Sequence, residues 1–210
     1  MRFPARWLAA FSLVLLPMGA AAADEIFGPT DHCVAYRTVK DMWFFVDTPI
    51  VGKSCDVTVS VSGDAARIEV AVPIESLDSR NGFRDGAVAE LLGQEKQPDL
   101  RFSTLPLDAE ALRPGVQSQK LTLAGVLSFG GREFPVEFAV ELVESDGRHY
   151  ASGLAESTFE SFEIEVPTVA GGLIARPHEA LELAFHFELE RVEGLQAWAE
   201  KQGLLPSAAE

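Results

Sequence analysis

Cysteine, tyrosine, histidine and positive charge are all scarce in this 210-residue chain: 2 Cys, 2 Tyr, 4 His, and 17 Lys+Arg against 32 Asp+Glu. The formal net charge of -15 argues against nucleic acid and anionic lipid headgroups as partners held by charge alone. The histidines, His32, His149, His178 and His186, never fall at metal-ligand spacing, so neither a zinc nor a haem site is expected. Cys33 and Cys55 lie too far apart for a C-x-x-C redox pair, and no C-x-x-C-H haem attachment is present. No serine sits in a G-x-S-x-G elbow, and no glycine-rich loop opens a helix, so no catalytic residue is assigned and no enzyme is expected.

Long apolar runs are missing as well. The longest, Trp7 to Leu16, follows the basic residues Arg2 and Arg6 and is broken by Pro17 and Gly19. Spanning a bilayer takes about 20 apolar residues, so stable membrane insertion is not expected. The small residues Ala20 to Ala23 complete the pattern of a secretory signal peptide, residues 1–23, with cleavage near Ala23. No cysteine stands there to take a lipid anchor. The reading is export to the periplasm, leaving one domain over residues 24–192 and a tail over 193–210 that holds a short helix and a frayed end. An even cysteine count in an exported chain makes a Cys33–Cys55 disulfide the default.

What is abundant is period-two alternation. Ile68, Val70, Val72 and Ile74 share one side of a strand, as do Val57, Val59 and Val61. Leu121, Leu123, Leu127 and Phe129 lead into Gly130-Gly131, and Phe134, Val136, Phe138, Val140 and Leu142 return. Two glycines between alternating runs suit a tight hairpin, and Asp146-Gly147 marks the next reversal. Leu181, Leu183, Phe185, Phe187 and Leu189 alternate with Glu182, His186, Glu188 and Glu190, which reads as one buried and one solvated face. Helix is sparse: Ala87, Val88, Leu91 and Leu92 lie at helical spacing before Gly93, and a second short helix is expected from about Leu195 to Lys201, ahead of a frayed Pro206 to Glu210. Such strands either stack as a sandwich or curl into a barrel. Fourteen phenylalanines against two tyrosines disfavour a wet or sugar-binding interior. Alternation alone leaves open whether that interior is hollow or filled by its own side chains.

Several phrases in order carry a resemblance. IESLDS at Ile74–Ser79 is followed by Arg84-Asp85, PDLRFST at Pro98–Thr104, LTLAGVLSFGGREFPV at Leu121–Val136 and the closing strand Leu181–Leu189. Together, over roughly residues 31–192, they resemble the YceI-like family of secreted bacterial proteins. The resemblance implies an all-β, extended antiparallel lipocalin-like β-barrel with one short helix between strands and a short C-terminal helix. It also implies an apolar, lipid-like small-molecule partner: a polyisoprenoid or isoprenoid quinone bound in a long pocket. The alternative is a stress-related or protein-interaction module whose barrel is filled. Whether the protein is a monomer or a homodimer is left open.

Alternation parity and distance from strand ends select ten residues for the tunnel wall: Val70, Val72, Phe102, Leu121, Leu123, Phe134, Val136, Phe138, Phe185 and Phe187. Arg84 and Asp85 are read as structural, either an ion pair anchoring the helix over one barrel end or an aspartate cap.

Overall fold

A computed structural model describes residues 26–42, 46–62, 66–165 and 175–204. The expected signal peptide and the frayed end Pro206 to Glu210 lie outside the described residues. Among those described are nine strands: β1 (Cys33–Met42), β2 (Val46–Ser54), β3 (Thr58–Ser62), β4 (Arg67–Pro73), β5 (Asp99–Thr104), β6 (Lys120–Phe129), β7 (Arg132–Ser145), β8 (Arg148–Thr158) and β9 (Ala175–Glu188). They form one sheet in the order β2-β1-β9-β8-β7-β6-β5-β4-β3, every neighbouring pair antiparallel. The sheet curls into a half-barrel of the lipocalin-like, all-β kind.

Turn chemistry sets the register of the long hairpin. Phe129 faces Arg132 across Gly130-Gly131, whose φ angles are 59° and 75°. Ser145 faces Arg148 across Asp146-Gly147, at 51° and 74°. Two consecutive positive φ values are what a two-residue turn needs to match strand twist. Once register is fixed, every second side chain of β6 and β7 points into the concave face. There Phe102 meets Phe138 edge-on at 5.3 Å, Phe138 meets Phe185 at 5.2 Å, and Phe185 stacks on Phe187 at 4.7 Å.

β2 and β3 are the two ends of the sheet order, and each is held by another part of the chain. Lys53 N donates to Asp78 O at 3.0 Å and Asp78 N to Lys53 O at 2.9 Å. The Ser54 and Ser76 hydroxyls meet at 2.6 Å. On β3, Val61 N donates to Glu193 O at 2.7 Å and Glu193 N to Val59 O at 3.1 Å. These contacts pin β2 at Lys53 and β3 over Val59–Val61. The Cys33–Cys55 disulfide ties the start of β1 to the link between β2 and β3.

Among the described residues there are three short α-helices, where the sequence predicts two. Helix α1 (Gly82–Leu91) and helix α3 (Leu195–Lys201) fall where the periodicity placed them. Helix α2 (Ala109–Ser118) was not anticipated, because it contains Pro114 and Gly115, two residues that normally argue against helix. It forms because Asp108 caps it, accepting from the Glu110 and Ala111 amides at 3.0 and 3.4 Å, and Gln119 ends it in the left-handed conformation at φ 59°.

The outer face of β9 also departs from expectation. His186 and Glu188, read as solvated, are each only 7% exposed. The segment before β1 crosses that face and covers them. Phe27 stacks over His186 at 6.0 Å, Tyr150 stacks on it at 4.8 Å, and Ser152 Oγ meets His186 Nδ1 at 2.6 Å. Glu188 binds Arg148 at 2.8 Å while its backbone amide donates to His32 Nδ1 at 3.1 Å. With Cys33, Ala35 and Ala184 these residues make a second, smaller core outside the barrel.

Two outcomes follow. Reduced protein, or the Cys33→Ser/Cys55→Ser variant, should lose about 3 kcal/mol of unfolding free energy in denaturant titration, from the entropy of a loop 22 residues long. His32 is 5% exposed, and burial, with the Arg191 charge second, depresses its pKa from 6.5 to about 4. The folded state resists protonation that the unfolded state accepts. Stability from this group is therefore complete above pH 6.5 and drains away toward pH 4, at about 1.4 kcal/mol per pH unit. His32→Asn, which keeps an acceptor but cannot titrate, should flatten that part of the pH profile of the melting midpoint.

Candidate functional site

The concave face does not fill its own interior. It encloses a cavity of about 240 Å³ whose wall is almost wholly apolar. All nine strands contribute, and helix α1 roofs it with Val88 and Leu91, followed by Leu92.

Seven of the ten residues selected for the tunnel lie in this wall: Val70, Val72, Phe102, Leu123, Phe138, Phe185 and Phe187. The other three share their face but not their position along it. Phe134 is stacked on Phe129 at 4.9 Å and edge-on to Phe162 at 5.5 Å, plugging the barrel beside the Gly130-Gly131 turn. Val136 is buried opposite Gly125. Leu121 packs beside Gly115 of α2 at the far end of β6. Parity chooses a face, and the turn contacts decide which part of that face stays open.

Strand β1 supplies wall residues that alternation had not singled out: Val34, Tyr36 and Thr38. Its intervening Arg37 faces outward to Glu182 at 2.6 Å. The V-x-Y-x-T pattern is the signal that was present, though too short and too polar to stand out.

Glycines make the room. A methyl group built on Gly52 would overlap the Tyr36 ring, one on Gly125 the Phe102 ring, and one on Gly153 the Phe185 ring. Gly52 and Gly153 sit directly opposite their aromatic partners across β1–β2 and β8–β9. Each ring lies over a position with no side chain, so it rests against the wall instead of reaching across the lumen.

Four polar residues touch the cavity: Tyr36, Thr38, Arg84 and Thr104. Thr38 Oγ1 donates to Ala180 O at 2.9 Å, and Thr104 Oγ1 accepts from Ile68 N at 3.0 Å. Both hydroxyl oxygens are thereby engaged with backbone. Burial raises the Tyr36 phenol above its ordinary pKa, partly opposed by the Arg84 charge and a hydrogen bond with Ser79. Arg84 donates from Nε to Ser79 Oγ at 2.7 Å and from Nη2 to Ser79 O at 2.6 Å. Asp85 accepts from the Ser79 amide at 3.0 Å and from its hydroxyl. Asn81, not Asp85, caps α1, accepting from Arg84 N at 3.2 Å. Arg84 and Asp85 thus meet through Ser79, and this brace holds the helix at the cavity mouth.

Among the described residues no cluster of His, Cys, Asp and Glu could hold a metal ion. No helix there is long and apolar enough to cross a membrane.

An antiparallel half-barrel around an apolar cavity defines a class of small binding proteins. The model of the YceI-like domain matches residues 30–188, and the chain belongs to that family. Among solved structures it is similar to BcnA of Burkholderia cenocepacia, with TM-score 0.52, 14% identity, 73% of this chain covered and 94% of that one. It is also similar to a polyisoprenoid binding domain from Saccharophagus degradans implicated in plant cell wall breakdown, with TM-score 0.51, 10% identity and coverage of 74% and 94%. The YCEI protein of Campylobacter jejuni aligns at TM-score 0.44 and 15% identity, over 71% of this chain and 82% of that one. No functionally curated protein matches the chain.

Gly153→Ala tests the glycine windows. The three atoms nearest the added methyl all belong to the Phe185 ring, so the ring must move, and the lumen is the open side. Overpacking of this kind costs about 1–3 kcal/mol, small enough to leave a folded protein. Uptake of an apolar probe should fall in fluorescence titration, whereas Gly86→Ala, with open space around it, should bind like wild type.

Proposed function

We propose that the protein binds and carries an apolar chain, a polyisoprenoid, an isoprenoid quinone or a similar lipid, inside its half-barrel in the periplasm. One observation carries the reading: phenylalanine, leucine and valine side chains from seven strands face a common cavity that they leave open. Membership of the YceI-like family supports it, as does the likeness to a polyisoprenoid binding domain.

The physics is removal of hydrocarbon from water, about 0.8 kcal/mol per buried methylene before association costs. An apolar wall gives little directional selectivity, so length and width of the chain decide what fits. Pockets for drug-sized ligands run to about 300–1,000 Å³. At about 240 Å³ the lumen accepts a short stretch of chain, and longer ones require the α1 roof to yield. That roof has no fully buried residue. The disulfide is consistent with an oxidising compartment, which agrees with export by a cleaved signal peptide.

Native mass spectrometry of protein purified from the periplasm without detergent is the direct test. The expected spectrum shows an added lipid-sized mass, removed by organic extraction and restored by offering a polyprenyl lipid or quinone. A clean protein mass with no uptake of either would overturn the carrier reading.

A further inference from the structure

We propose that the cavity takes a chain ending in a carboxylate, and that Arg84 grips this head with the two end nitrogens of its guanidinium while the chain lies against the phenylalanines. The inference rests on the apolar-chain reading above and adds to it the chemical class of the head.

Among the described residues, Arg84 is the one charged side chain in the cavity wall. Its guanidinium is held along one edge: Nε and Nη2 grip the hydroxyl and the carbonyl of Ser79, a residue only 6% exposed. Asp85 accepts from the amide and the hydroxyl of the same Ser79, which fixes the serine from the other side. The end edge of the guanidinium, Nη1 with the second N–H of Nη2, has no hydrogen-bond or ion-pair partner among the described residues. Two parallel N–H groups at fixed spacing are the complement of a carboxylate. Elsewhere in the wall the Thr38 and Thr104 oxygens are engaged with backbone, and the Tyr36 phenol with Ser79.

The charge balance decides which head fits. Arg84 and Asp85 share Ser79 and cancel at long range, Glu90 stands exposed on the same helix, and the whole chain is at -15. No long-range attraction therefore draws an anion here, and what holds it is contact with one fork. One fork offsets one negative charge. A phosphate monoester carries about two at neutral pH, more than Arg84 can offset beside Asp85, and Arg80, the nearest cation in sequence, is exposed. An uncharged head, a quinone carbonyl or a prenol hydroxyl, would displace water from the fork and leave one N–H without a strong acceptor. A carboxylate uses both donors and brings a single charge. Because Ser79 already fixes the guanidinium, little side-chain freedom is lost on binding.

Calorimetric titration of the delipidated mature protein with farnesoic acid, farnesol and farnesyl phosphate compares three heads on one chain. At neutral pH the acid should bind about 10-fold more tightly than the alcohol, the scale of a hydrogen bond to a charged group, and more tightly than the phosphate. Arg84→Met keeps the stem of the side chain and removes the fork. In that variant the acid should fall to the affinity of the alcohol, while the alcohol itself binds as to wild type. Arg84→Lys, with the charge but no fork, should recover only part of the difference. Equal binding of acid and alcohol by wild type would overturn the head site and leave the carrier reading intact, a comparison that stands even if Arg84→Met fails to fold. Unchanged binding of the acid by folded Arg84→Met would do the same. The phosphate binding more tightly than the acid would overturn the carboxylate assignment. Binding of none of the three would remove both the head site and the carrier reading.

Discussion

A curled sheet that stops short of closing has two edges, and the rest of this structure depends on how those edges are held. β2 and β3 stand at opposite ends of the strand order. If they paired along their length, the barrel would tighten and its aromatic side chains would meet across the middle. Instead the gap is spanned by a two-bond bridge between Lys53 and Asp78, a Ser54–Ser76 contact, and the Glu193 backbone lying on β3. The disulfide pins the same region from the β1 side. Polar backbone is satisfied there without drawing the walls together, and an apolar interior survives that hydrophobic collapse would otherwise fill.

The loop that makes the Lys53 bridge also launches helix α1. Asp78 pairs with β2, Ser79 binds both Arg84 and Asp85, and Asn81 caps the first turn. Seam and roof are therefore one continuous piece of chain. The roof stays put through a few polar contacts at its ends, while its apolar inner side faces empty space more than packed side chains. Low packing density with well-fixed ends is the arrangement expected of an element that opens locally without unfolding the sheet.

Much of this was legible in the sequence, for a reason that also marks its limit. Hairpins announced themselves through Gly130-Gly131 and Asp146-Gly147, and parity then assigned whole faces, which is why Phe138, Phe185 and Phe187 were found together. Parity is a local property. It says nothing of what lies on the other side of the sheet, so His186 and Glu188 looked solvated although Phe27 and His32, far away in sequence, cover them. It also says nothing of depth along a strand, so Phe134 and Val136 were grouped with residues that line the cavity. Helix α2 escaped because its Pro114 and Gly115 oppose helix by propensity, while its two ends are fixed by Asp108 and Gln119.

Covering both faces of β9 has a consequence for the cavity. A strand packed on one side only would answer an emptied interior by bending inward. β9 carries Phe185 and Phe187 on the concave face, and on the other it bears Ala184, His186 and Glu188 under the N-terminal segment. Its central position between β1 and β8 extends that stiffness to both neighbours. Phe185 rests over Gly153 of β8, and Tyr36 of β1 over Gly52 of β2, so two of the three ring-over-glycine pairs are built on strands that β9 supports directly. The outer core thus does for the far wall what the seam does for the edges. It resists collapse from the outer face of the sheet, opposite the phenylalanines that line the cavity.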